Sequence, residues 1–190
     1  MCQDGLQDGL SYHPLEVSPS DPDVIAVGTT SGSNECKIFL SDDRGDSWSR
    51  LENLPGGIST IDIEFDPYNS NIIYTGLLGV VGNVDGGLFK STDFGESWID
   101  ITNNLPLNDM MYFSGITINP FNTSNIFVIV GWHGVYQTHD GGETWESFNE
   151  GLDTASCVYG NLSFAGEDTT HMYLSTLSVW SISRSATKIV

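Results

Sequence analysis

Basic residues are nearly missing from this chain. Its 190 residues hold six Lys+Arg against 25 Asp+Glu, a formal net charge of −19. Such a surface repels phosphate backbones and anionic headgroups, which disfavours nucleic acid and anionic membranes as partners. Cations, basic proteins and neutral glycans suit it better, although strong acidity also serves solubility alone. The acids are scattered, and 39% of residues are hydrophobic and 11% aromatic, which argues for a packed domain rather than disorder. Cysteine is scarce. Cys2, Cys36 and Cys157 are an odd number without Cys-x-x-Cys spacing, so neither a complete intramolecular disulfide set nor a zinc site is expected. No metal or cofactor is expected. No apolar run is long enough to cross a membrane. The first residues lack the basic, apolar character of a secretory signal, which was either removed or never carried by this segment. Helical periodicity is missing too; short β-branched and aromatic runs alternate with turn residues throughout.

What is present is a repeat. Ser/Thr-x-Asp-x-Gly-x-x-Trp is written three times, as Ser41-x-Asp43-x-Gly45-x-x-Trp48, Ser91-x-Asp93-x-Gly95-x-x-Trp98 and Thr138-x-Asp140-x-Gly142-x-x-Trp145. The copies start 50 and 47 residues apart, a period that marks a repeat architecture. Around each box the same order recurs. In the second copy an apolar run ending near proline (Ile61–Pro67) precedes a polar turn (Tyr68–Asn71). A β-branched run follows (Ile72–Thr75), and a run entering the box (Leu88–Lys90) comes next. A last run opens at the box tryptophan. Four short strands in ~48 residues match one propeller blade. A worn fourth copy follows, with Asn161–Phe164, Met172–Ser175 and Val179–Ser181 as its strands and no intact box. Met1–Leu10 reads as the tail of a preceding repeat, because Gly9-Leu10 resembles Gly151-Leu152. The expected fold is all-β, a single propeller of about four blades with repeats near 11–57, 58–107, 108–154 and 155–190, the last incomplete.

The box resembles the Asp-box, or BNR repeat, of sialidases, xyloglucan-active glycoside hydrolases, sortilin-type receptors and photosystem II assembly factors. Gly87–Asp93 ahead of Gly95-Glu96-Ser97-Trp98 is most similar to the last three groups. The resemblance implies a propeller and says little about activity. Three equivalent copies point to a scaffold role. Each Asp is expected to accept amides within its own turn, each Gly to supply φ > 0, each Ser/Thr to add a local bond and each Trp to bury its ring with a partner for the indole N–H. Sialidases use three arginines with a Tyr–Glu pair, and Arg44, Arg50 and Arg184 do not supply that set.

Function is expected in loops that differ between copies, on the face opposite the boxes. Trp132 and His133 stand in the third repeat, Asn83 and Asp85 in the second, and Tyr112 between them; these are the candidate ligand-binding residues. An exposed Trp132 would be a platform for a sugar ring, whereas a Trp132 packed beneath its own hairpin would not. Asp62 and Glu64 alternate with Ile61, Ile63 and Phe65 and are the weak catalytic candidates, since glycoside hydrolysis needs two carboxylates aimed at one bond. The leading expectation is a non-catalytic recognition or structural module, extracellular or on a cell surface. It would bind a protein or glycan, form a homo-oligomer through incomplete blades, or belong to a longer chain. A β-glucan- or xyloglucan-active hydrolase fragment is the alternative, and a photosystem assembly role a third option.

Overall fold

The computed structural model describes residues 5–6, 10–30, 36–79, 86–106, 113–152, 154, 160–165 and 168–176. Among them the expected strands form in order, with no α-helix. The first repeat gives β1 (Ser11–Val17), β2 (Ile25–Thr30), β3 (Ile38–Ser41) and β4 (Ser49–Arg50). The second gives β5 (Ser59–Asp66), β6 (Asn69–Leu78), β7 (Gly87–Ser91) and β8 (Ile99–Asp100). The third gives β9 (Phe113–Ile118), β10 (Ile126–Val130), β11 (Gly134–Thr138) and β12 (Glu146–Ser147), and the fourth β13 (Gly160–Ala165) and β14 (Asp168–Thr176). Each repeat is an antiparallel meander in sequence order. The third-strand candidate Val179–Ser181 lies outside the described residues. The outer strands β4, β8 and β12 are two residues long, which leaves little edge for stray pairing.

The chain divides into two compact units, one holding β1–β8 and the other β9–β14. In the first unit the back of the first sheet (Val24, Ala26, Ile38, Leu40) packs on the front of the second (Ile63, Phe65, Ile73). Period-2 alternation sorts these residues: Ile63 and Phe65 turn to this core while Asp62 and Glu64 turn away. Leu51, Leu54, Phe94 and Trp98 close round the cluster, and Thr30 pairs with Ser59 to join the two sheets at one corner. On the front of the first sheet, Leu6, Leu10, Tyr12 and Ile25 pack around Val27, Phe39 and Trp48. The second unit repeats the scheme. Phe127, Ile129 and Val135 on the back of the third sheet meet Leu162, Phe164, Met172 and Leu174 on the front of the fourth.

Candidate functional site

The three boxes fold into one and the same turn. The Ser/Thr hydroxyl donates to the Asp Oδ1, at 2.7 Å from Ser41 to Asp43, 2.8 Å from Ser91 to Asp93 and 2.6 Å from Thr138 to Asp140. The same hydroxyl accepts the glycine amide, at 2.8 Å from Gly45, 2.8 Å from Gly95 and 3.1 Å from Gly142. Asp Oδ1 also accepts the amide four residues on, from Ser47, Ser97 and Thr144, and Oδ2 accepts the hydroxyl of that same residue. These donors favour the charged carboxylate. The Ser47 hydroxyl and amide, then Ser41, hold Asp43 down at about 2, Asp93 is lowered in the same way, and Thr138 leads the lowering of Asp140.

Two features of this turn escape the sequence pattern. A second hydroxyl, just before each tryptophan, binds the carboxylate. The residue before each glycine is left-handed as well: Arg44 (φ 65), Phe94 (φ 61) and Gly141 (φ 73) precede Gly45 (φ 88), Gly95 (φ 85) and Gly142 (φ 102). That bend aims the first of the two amides at the turn between the repeat's first two strands or, in the second repeat, at the start of β6. Arg44 N–H donates to Asp23 O at 3.0 Å, Phe94 N–H to Asn71 O at 2.9 Å and Gly141 N–H to Ser124 O at 3.0 Å. Box and first turn therefore share one end of each sheet, as the strand order requires.

The tryptophans depart from expectation in one copy. Trp48 and Trp145 are buried, and the Trp48 indole N–H donates to Gly45 O at 3.1 Å. Trp98 is only partly buried, and its indole N–H has no partner among the described residues. Asparagines that follow the fourth strand add links the sequence did not announce. Asn53 Nδ2 donates to Glu96 O at 3.2 Å, and Asn103 Nδ2 to Gly142 O at 2.8 Å and Glu143 O at 3.1 Å. Each thus ties into the box of the sheet that follows it in sequence.

Asp62 and Glu64 stand on one face of β5, opposite Gly76 and Tyr74 of β6. Burial, then the Asp62 and Glu16 charges, push the Glu64 carboxyl up to about 9. Glu16 of β1 is raised by burial and by Asp62, so it is a third member of this acidic group that spacing alone did not reveal. Glu64 therefore keeps its proton at neutral pH and can donate a hydrogen bond. Asp62 Oδ1 accepts the Ile63 amide at 3.0 Å. Among the described residues no group of three or more His, Cys, Asp or Glu is placed to hold a metal ion.

Trp132 and His133 occupy the turn between β10 and β11. Trp132 is 52% exposed and left-handed at φ 61. The His133 amide closes the turn on Val130 O at 2.9 Å. Asn149 braces it from the side, with Nδ2 donating to His133 O at 2.9 Å and Oδ1 accepting the Val135 amide at 2.8 Å. Asn83, Asp85 and Tyr112 lie outside the described residues, so Trp132 and His133 are the members of that candidate set with a described position.

No protein-family model matches the chain. A xyloglucanase from Paenibacillus sp. is 31% identical over 163 residues, covering 69% of this chain and 15% of that protein. The photosystem II assembly lipoprotein Ycf48 of Synechococcus sp. (strain CC9902) is 33% identical over 138 residues, covering 71% of this chain and 36% of that protein. Among solved structures, the Niastella koreensis GH74 enzyme superposes with a TM-score of 0.67 at 19% identity, over 87% of this chain and 26% of its own. YCF48 from Cyanidioschyzon merolae superposes at 0.57 and 15% identity, over 92% and 52%. The chain thus spans roughly a sixth of the xyloglucanase and a third of Ycf48. Its curled antiparallel meanders are blades of a β-propeller, and the chain is a β-propeller polypeptide similar in sequence to xyloglucanases and Ycf48.

Proposed function

We propose that this chain is a non-catalytic glycan-recognition part of an extracellular or cell-surface Asp-box propeller, taking a β-glucan of the xyloglucan class on the Trp132 turn. The observation that carries this reading is the pose of Trp132. A non-glycine residue held left-handed costs about 1–2 kcal/mol, and such strain gathers at functional sites. Here it presents a half-exposed indole on a turn braced by Asn149, on a scaffold that costs little to order on binding. An acidic surface does not oppose a neutral sugar chain, and the xyloglucanase relatives supply the ligand class. Calorimetric titration with xyloglucan oligosaccharides is expected to show binding that Trp132→Ala weakens at least tenfold without lowering the melting temperature. Equal affinity in the variant would refute it.

A second reading, hydrolysis, is favoured by one feature: Glu64, its carboxyl pushed up to about 9, stands beside Asp62, as a general acid stands beside its partner carboxylate. Reducing-sugar release from xyloglucan, abolished in Asp62→Ala and Glu64→Ala, would establish it in place of the first. A blank assay with intact binding leaves recognition as the function.

A further inference from the structure

The first three repeats share one strand register, so the residue that follows each fourth strand can be compared copy by copy. Val135 on β11 corresponds to Leu88 on β7 and Ile38 on β3. Its carbonyl accepts the Phe148 amide, as Leu88 O accepts that of Ile101 and Ile38 O that of Leu51. The next residue is Asn149, Thr102 or Glu52, and each does something different. Glu52 is exposed and faces Arg50 at 4.0 Å. Thr102 Oγ1 accepts the Leu88 amide at 3.0 Å. Asn149 Oδ1 accepts the matching Val135 amide at 2.8 Å, and its Nδ2 also donates to His133 O at 2.9 Å and to Ser147 Oγ at 2.9 Å.

The added bond to His133 falls on a connection that runs over residues 131–133, shorter than 31–37 and 79–86 in the first two repeats. Trp132 (φ 61) and Gly134 (φ 91) are both left-handed there. Position 134 requires glycine, because a Cβ would lie 2.1 Å from Asn149 Oδ1. The missing side chain is what lets the carboxamide come in. A tryptophan held left-handed relaxes unless its surroundings fix it. The His133 amide on Val130 O closes the turn from within, and Asn149 fixes it from beyond β12.

We infer that Asn149 is the positioning residue of the Trp132 turn, holding the indole so that a neutral β-glucan meets a ring already set. The inference rests on the glycan reading of Trp132 and adds to it the residue that presets the pose. Bracing of the strand is common to Asn149 and Thr102, so the part peculiar to this site is the bond to His133 O. Without it, apparent affinity falls in proportion to the fraction of molecules whose turn remains competent to bind.

Asn149→Thr separates the two parts. A threonine hydroxyl can keep the Val135 amide, as Thr102 keeps that of Leu88, while its shorter side chain leaves His133 O without that donor. Calorimetric titration with xyloglucan oligosaccharides is expected to show at least a tenfold loss of affinity, with a cooperative melt retained. Amide hydrogen exchange followed by NMR is expected to quicken at His133 and to stay unchanged at Val128 and Ile129. Asn149→Asp keeps the acceptor and removes both donors; it should repeat the result, and it serves if Asn149→Thr does not fold. Unchanged affinity in these variants, while Trp132→Ala binds tenfold more weakly, would overturn the positioning role and leave Trp132 as the platform. Unchanged affinity in Trp132→Ala would remove the platform itself and the inference with it. Faster exchange throughout β10 would also overturn the inference, since Asn149 would then brace the sheet rather than the turn.

Discussion

Glu64 carries its proton into a site that the unfolded chain would let it leave. Its ordinary value near 4.5 rises to about 9 in the folded protein, first through burial and then through Asp62 and Glu16. Between those two values the folded state binds more protons than the unfolded state, so stability falls as pH rises. Glu16 is displaced in the same direction and adds to the trend. The melting temperature is therefore expected to be higher at pH 5 than at pH 8.5. Glu64→Gln, which keeps the shape and removes the titration, should flatten that slope, and differential scanning fluorimetry across the range measures it. Asp62 and Glu64 were legible in the sequence because alternation puts them on one face of a strand. Glu16 was not, because nothing in a single strand's period says which other strand will lie beside it. The exposure of Trp132 was equally out of reach, since packing beneath a hairpin and projecting from it use the same residues.

In the box turn the serine or threonine is more central than the aspartate for which such a turn is named. Ser91 is fully buried, donates to Asp93 and accepts the buried amide of Gly95. Ser91→Ala leaves that amide without a partner, at a cost of about 1–3 kcal/mol. Gly95→Ala keeps the bonds but places a Cβ at φ 85 and 2.6 Å from the Leu51 side chain, costing about 1–2 kcal/mol from the backbone alone. Urea denaturation should show both losses, with Ser97→Ala smaller because its hydroxyl is solvent-exposed. The strands and the turn itself were readable because they are local: β-branched runs, turn residues and a fixed eight-residue pattern. The asparagine links were not, because Asn53 and Asn103 bond backbone 43 and 40 residues away, and side-chain reach across sheets leaves no periodic trace. The second left-handed residue was masked by chemistry, since Arg44 and Phe94 accept a conformation that only the third copy fills with glycine.

At the scale of the molecule, charge and burial pull in opposite directions. Six basic residues cannot neutralise 25 acids, so every compact or associated state gathers negative charge. Salt decides how much that matters. The Debye length falls from about 30 Å at 0.01 M to about 8 Å at 0.15 M, which screens acids scattered over the surface while leaving apolar contacts intact. Added sodium chloride over that range is thus expected to raise the melting temperature. Binding of a basic protein would respond in the opposite sense, and binding of a neutral glycan should hardly respond. Thermal melts, and titrations with a basic protein and with an oligosaccharide, repeated at the two salt concentrations separate the three. Oligosaccharide affinity that moved with salt would place the sugar against the acids and away from the Trp132 ring.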